Sequence, residues 1–258
     1  MAALSDADMR RYSDEGYLAP IRVLAPHEVA TCRAEVEQFF AQRVAEGANA
    51  VALRTKVHLQ CSTLFDLVHH PAIVEPVRDL LGADLLCRSA SVFLKEPGAP
   101  AFVAWHQDAA YWELEPPDVA TAWVALTEST LENGALRVIP GSHREPLLPH
   151  GVIDDPDNML SRGQGITAPI DPAKTAALTL DAGEMSIHDV RLAHGSDPNR
   201  STTRRMGFAI RYVAPHVRKT GPRRDTAILV SGSDRFGNFD PEPAVAALQR
   251  SATRHERR

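Results

Sequence analysis

The hydrophobic rhythm of the 258-residue chain changes at Gly82, and that change limits the fold more than any other feature. Before it, apolar residues recur at helical spacing. In "APHEVATCRAEVEQFFAQRV" Val29, Cys32, Val36, Phe39 and Phe40 fall on one face, with Pro26 near the start. "STLFDLVHHPAIVEPVRDLLG" repeats the pattern as two short helices, broken at Pro71 and closed by Gly82. After Gly82 come short strand-like runs: "LLCRSASVFLKE", "ATAWVALTES", "GALRVIPG", "AALTLDAGEMSIHD" and "MGFAIRYVA", separated by Gly, Pro, Asn and Asp. No helix-length periodic segment interrupts them until "PEPAVAALQRS". Many short strands with turn-rich connections point to a sandwich or jelly roll rather than a parallel α/β sheet.

The length suits one large domain with a sizeable core. Within it, about residues 1–82 read as helical, 83–215 as the strand core and 216–258 as a C-terminal extension. The stretch from Pro146 to Asp171 carries little regular pattern and is the candidate functional loop, while "RSATRHERR" reads as a frayed end. A formal charge of −5 argues against nucleic acid, which usually selects a basic face. "MAALSDADMRR" has no apolar core of a signal peptide, and no stretch approaches the length of a membrane span. Cys32, Cys61 and Cys87 are widely spaced and odd in number, so no disulfide framework is expected and a cytoplasmic address fits.

"WHQDAAYW", residues 105–112, holds the first chemical signal. On a strand, alternation puts His106 and Asp108 on one face and Gln107 on the other. Alone the pattern is weak, since His143-Arg144-Glu145 repeats it by chance. Two histidines and a carboxylate leave three open positions on a metal, as in non-haem Fe(II) oxygenases, although catalytic zinc also uses three protein ligands. The preferred third ligand is His194 in "LAHGSDPNRS", so far along the chain that a closed antiparallel barrel is needed to bring it near. His188 is the rival, read as a packed strand residue, and His143 reads as a structural turn residue. Arg205 opens "RMGFAIRY". A guanidinium deep in an apolar barrel needs an anion, and a carboxylate fits its fork. Arg204 faces the other way, toward solvent.

"WHQD", "AWVAL", "ENGALRVIPGSH", "GEMSIHD", "HGSDPNRS" and "RRMGFAIRYV" follow the order and approximate spacing of the phytanoyl-CoA dioxygenase family, which the chain resembles from about Gly16 to about Phe239. It looks closest to bacterial members, many of which act on small metabolites. The resemblance implies a mainly β, double-stranded β-helix (jelly-roll, cupin-like) fold with flanking N-terminal helices, and chemistry with Fe(II), 2-oxoglutarate and O2. It makes His106, Asp108 and His194 the iron ligands. Arg205 matches the clamp on the distal carboxylate of 2-oxoglutarate, Ser196 a hydroxyl that helps it, and Trp123 a residue lining that pocket. Lys56 in "RTKVHL" matches a lysine that also reaches 2-oxoglutarate. Halogenating relatives carry Ala or Gly at the carboxylate position, so Asp108 implies a hydroxylase that releases succinate and CO2.

Tyr111 and Trp112 follow the metal motif and are expected to wall the pocket of a small-molecule substrate, or else to be core. Arg162, in a candidate lid over residues 154–166 with Gly163 and Gly165 as hinges, meets an anionic group or pairs with Asp154, Asp155 or Asp157. The rival reading is a cupin-like metal protein that binds a ligand or catalyses hydrolysis or isomerisation, a reading that leaves Arg205 without a role. No nucleic-acid or membrane partner is expected, and the oligomeric state is left open.

Overall fold

The structure, a computed structural model, describes residues 4–48, 55–160 and 162–242. The N-terminal part holds α1 (Asp6–Glu15), β1 (Tyr17–Arg22), α2 (Pro26–Ala45), α3 (Ser62–Val68) and α4 (Pro71–Leu81). Local signals set these limits. Ser5 caps α1 through a reciprocal pair of hydrogen bonds with Asp8, and Gly16 ends it at φ 82°. Pro26 and Pro71 occupy the first turns of α2 and α4, where a missing N–H costs nothing.

The strand region continues with β2 (Leu85–Lys95), β3 (Val103–His106), the single turn α5 (Ala109–Trp112), β4 (Leu114–Glu115) and β5 (Val119–Ala125). Next come β6 (Leu136–Val138), β7 (His150–Val152), β8 (Gln164–Ile166), β9 (Ala176–Leu178), β10 (Glu184–Asp189) and β11 (His194–Ser196). The last are β12 (Arg205–Val213), β13 (Arg218–Lys219), β14 (Thr226–Ser231) and β15 (Asp240–Pro241). Among the described residues a seven-stranded sheet runs β1-β10-β5-β12-β2-β14-β15, and a four-stranded sheet runs β3-β11-β6-β9.

Period-two alternation divides the large sheet into two working faces. Ala120, Ala122 and Val124 of β5, with Met206, Phe208, Ile210 and Tyr212 of β12, pack against α2, α3 and α4 as one apolar core. Tyr212 also donates its hydroxyl to the Val68 carbonyl at the end of α3, 2.8 Å away. The alternate residues, Thr121 and Trp123 of β5 and Arg205, Ala209 and Arg211 of β12, face the small sheet across an interior cavity. Gly207 lies among them because a Cβ there would overlap the Trp123 ring.

Four expectations change. The N-terminal part is not purely helical: β1 forms the edge of the large sheet, with Tyr17 opposite His188 and Leu18 opposite Ile187. "AALTLDAGEMSIHD" is two strands in different sheets, split where Gly183 turns at φ 86° against the Leu24 carbonyl. The stretch 146–171 contains the hairpin β7–β8. Residues 216–242 are not an appendage, since β14 pairs with β2, Ile228 opposite Cys87. The helix read in "PEPAVAALQRS" and the tail fall, from residue 243 on, outside the described residues. No described helix is long and apolar enough to cross a membrane, and all three cysteines are free thiols.

Candidate metal centre

β3 ends at His106, and Asp108 follows two residues later in helical conformation at the entry to α5. The strand therefore stops before the second ligand, yet the chain still brings both side chains to one side: His106 Nε2 lies 3.4 Å from Asp108 Oδ1. His194 opens β11 directly opposite His106, their ring centroids 4.1 Å apart. The ligand atoms of the three residues all lie within 4.8 Å of one another, and all three are buried. Direct antiparallel pairing of β3 with β11 makes the meeting.

The donor set suits a divalent metal. His106 Nδ1 is 2.9 Å from the Ala104 carbonyl, and His194 Nδ1 is 2.9 Å from the Leu192 carbonyl. Each imidazole thus donates at Nδ1 and turns the Nε2 lone pair toward the centre. Burial opposes ionisation of Asp108, but the adjoining His106, then His194 and the Arg211 charge, hold it well below the usual carboxylate range. Burial, helped by His106 and His188, pushes His194 well below the usual imidazole value. An anionic carboxylate and a neutral imidazole are the forms that ligate metals.

From this centre an inner chamber of about 60 Å³ runs between the sheets. Arg205, 2% exposed, stands at its far side. Its Nη1 donates to the Gly134 carbonyl at 2.6 Å, its Cζ lies 4.7 Å from the Trp123 ring, and its Nε is buried without a partner. Burial lowers its pKa to about 10, and among the described residues no carboxylate pairs with it. Ser196 and Trp123 line the same chamber. His188 lines it too, with both ring nitrogens unpartnered and its pKa lowered to about 4 by burial.

The sequence reading missed Lys95. It faces Arg205 across the β2–β12 ladder, fully buried, and donates to Ser196 Oγ at 2.7 Å and to the Ser196 and Asp197 carbonyls. Burial, then the Arg205 charge, lowers it to about 6. Its signal was present: Ser91, Phe93 and Lys95 alternate inward on one strand. Arg205, buried on this chamber with no carboxylate of its own among the described residues, forms a seat for an anion, and Ser196, held by Lys95, lines the same space. The far end of a dicarboxylate such as 2-oxoglutarate fits it.

An outer cavity of about 370 Å³ opens from His106 and Asp108 toward the surface. Tyr111, Trp112 and Arg162 line it. The Tyr111 ring lies 6.3 Å from that of His106, and burial with the Asp108 charge pushes its phenol up to about 12. Arg162 is exposed and donates to the Tyr111 carbonyl at 3.3 Å, and it makes no ion pair with Asp154, Asp155 or Asp157. Lys56 stands apart from Arg205. It lines this outer cavity and not the chamber beside Arg205, because Glu242, 2.6 Å away, and Thr226 hold its ammonium. Arg88 and Arg211, also on this wall, were not singled out from the sequence.

The candidate lid is fastened. Phe102 donates to the Asp157 carbonyl at 3.0 Å and accepts from Met159 N–H at 2.8 Å, so the segment is stitched to the approach to β3. Gly163 turns at φ 60°, whereas a Cβ at Gly165 would crowd Ile153 and Ala104. Gly165 is a close-packing glycine rather than a hinge. The other assignments agree with the sequence reading. Gln107 points away from the metal and bonds the Arg191 carbonyl and the Leu148 N–H; His143 is a buried turn residue against the Ser13 carbonyl; Arg204 pairs outside with Glu96.

Fold and centre together define a mononuclear, two-histidine-one-carboxylate metal oxygenase on a double-stranded β-helix. The family model described as Phytanoyl-CoA dioxygenase (PhyH) matches residues 12–207. A probable alpha-ketoglutarate-dependent hypophosphite dioxygenase of Stutzerimonas stutzeri is 30% identical, over 80% of this chain and 77% of its own. An ectoine dioxygenase of Bordetella parapertussis is 27% identical, over 81% and 75%. Among solved structures, the apo form of the non-heme monooxygenase ThoJ covers 96% of both chains at 35% identity and a TM-score of 0.81. The chain belongs to the phytanoyl-CoA dioxygenase family. It is an Fe(II)- and 2-oxoglutarate-dependent dioxygenase.

Proposed function

We propose that the chain, acting as one domain in the cytoplasm, hydroxylates a C–H bond of a small molecule held in the outer cavity. His106, Asp108 and His194 hold iron in this reading, and Arg205, Ser196 and Trp123 hold 2-oxoglutarate. One observation carries it: the three-donor cluster is continuous with a chamber whose buried arginine has no acid of its own. When bound, iron and 2-oxoglutarate supply oxidising power from O2, releasing succinate and CO2.

The residues of the chain do the positioning. Arg205 offers its unpartnered edge to the distal carboxylate, while the Trp123 face and the Gly134 carbonyl fix the guanidinium plane. Lys95 donates to Ser196 Oγ and so turns the hydroxyl proton toward the chamber. Asp108 would give a bound iron its third protein donor, which favours hydroxylation over halogen transfer. Tyr111 and Trp112 wall the substrate and limit water.

Anaerobic iron loading followed by O2 tests this. Succinate release that depends on both 2-oxoglutarate and iron is expected. Iron binding without any succinate would leave the non-oxidative metal protein in its place.

A further inference from the structure

β12 turns a second arginine into the interior, and so far its charge has been credited only with an influence on Asp108. Arg211 lines both the inner chamber and the outer cavity, so it stands where they meet, as do His106 and Asp108. Its Nη1 donates to the Ala209 carbonyl at 3.2 Å, its Cζ lies 5.7 Å from the Phe93 ring, and its Nε is buried without a partner. Among the described residues no carboxylate pairs with it. Other cations on the outer wall are answered: Lys56 by Glu242 and Arg88 by Asp225, at 2.6 Å each. The acids lining this cavity, Asp108 and Asp225, are committed to the metal centre and to Arg88. Arg162 at the rim adds a further positive charge with no ion-pair partner among the described residues.

A guanidinium with an unanswered donor in an enclosed site is costly unless a ligand answers it. We propose that the primary substrate is a compact organic oxyanion, a carboxylate or a phosphonate, whose charged group seats on Arg211, with Arg162 adding attraction at the mouth. The inference rests on the oxygenase reading and adds the substrate class. The Asp108 charge reaches Arg211, but a neutral or cationic substrate would leave its buried Nε without an acceptor. At about 370 Å³ the cavity is near the lower end of small-molecule pockets, roughly 300–1,000 Å³. The anion is therefore small. Since Arg211 lines the same walls as Asp108, the oxidised carbon lies near the charged end, with Phe93, Tyr111 and Trp112 flanking the rest.

The test uses the full chain loaded anaerobically with Fe(II) and 2-oxoglutarate, titrated calorimetrically with pentanoate, butylphosphonate and neutral methyl pentanoate. At least one anion is expected to bind ten-fold or more tightly than the ester. Preference for butylphosphonate would assign a phosphonate-like head, and preference for pentanoate a carboxylate. Arg211→Gln should weaken the favoured anion by on the order of ten- to hundred-fold. It should leave 2-oxoglutarate affinity within about two-fold, and Arg211→Lys should recover part of the loss. The ester comparison needs no variant, so it decides the matter even where Arg211→Gln fails to fold. Equal binding of ester and anions, no binding of either anion, or an Arg211→Gln variant that loses 2-oxoglutarate instead would overturn the proposal. Failure of the unaltered protein to bind 2-oxoglutarate at all would sink the oxygenase reading instead.

Discussion

The two cavities share His106, Asp108, Leu160, Phe93 and Arg211 but are built from different material. The inner chamber is lined almost wholly by strand residues, whose positions follow from ladder hydrogen bonds and from a sheet backed by helices. The outer cavity keeps a wall of strand residues from β2 and β12 but adds Thr55, Lys56, Tyr111 and Trp112 of the α5 turn, Met159, Leu160, Arg162 and Asp225, which lie in connections and short turns. The common step of the reaction is therefore housed in rigid framework, and the part that chooses a substrate in segments that tolerate change. Both chambers carry an arginine from one face of β12, so the same ladder fixes the co-substrate end and the substrate end.

Substitutions at the metal centre, where the two cavities meet, should have the largest effect. His106→Ala, Asp108→Ala and His194→Ala are each expected to abolish iron binding and turnover with the circular dichroism spectrum kept. His188→Ala should still bind iron. A variant series in which His188→Ala loses iron and His194→Ala retains it would reverse the choice of ligand.

Next comes the inner chamber alone. Arg205→Ala removes a charge-assisted contact worth ~2–5 kcal/mol, which is roughly 30- to several-thousand-fold in the KM for 2-oxoglutarate. The KM for the primary substrate should move far less, and Arg205→Lys should restore 2-oxoglutarate binding in part. An unchanged 2-oxoglutarate KM would take the arginine out of this chamber's function. Gly207→Ala tests the framework itself. The added methyl must displace the Trp123 ring, and overpacking of this kind costs about 1–3 kcal/mol. A lowered Tm together with weaker 2-oxoglutarate binding is expected, whereas a Tm loss without a binding change would uncouple the chamber from its packing.

Lys95 gives a smaller, pH-dependent effect. Its pKa falls from the usual 10.5 to about 6 on burial, so between those values the unfolded chain binds a proton that the folded chain does not. Stability from this group is fully present above about 10.5, declines as pH falls, and reaches its minimum below about 6. The Tm of the unaltered protein relative to Lys95→Met should therefore rise with pH across that window. A flat difference would mean that the ammonium stays charged, satisfied by Ser196 and Asp197. The smallest effect is expected in the outer wall: Arg162→Ala should let succinate release outrun product formation while 2-oxoglutarate binding is nearly unchanged. Tight coupling in that variant would place Arg162 outside the substrate's reach.

What the sequence by itself determined was local. Capping residues and prolines set the helix limits, and alternation put Arg205 on the inward face, with Arg204 and Gln107 turned away from it and from the metal. It also held the inward parity of Lys95 and Arg211, although a lone cation in a strand run gives no sign of which sheet face is the interior. The tertiary structure decided what depends on pairing between distant segments. It set His194 opposite His106, placed Lys95 opposite Arg205 and split "AALTLDAGEMSIHD" between two sheets. It also drew β1 and β14 into the large sheet, and it fastened Lys56 to Glu242 instead of bringing it to the inner chamber. The reason is physical. A cap or an alternation is read from neighbours along the chain, whereas strand register is fixed by which faces can be buried together once the whole sheet has formed.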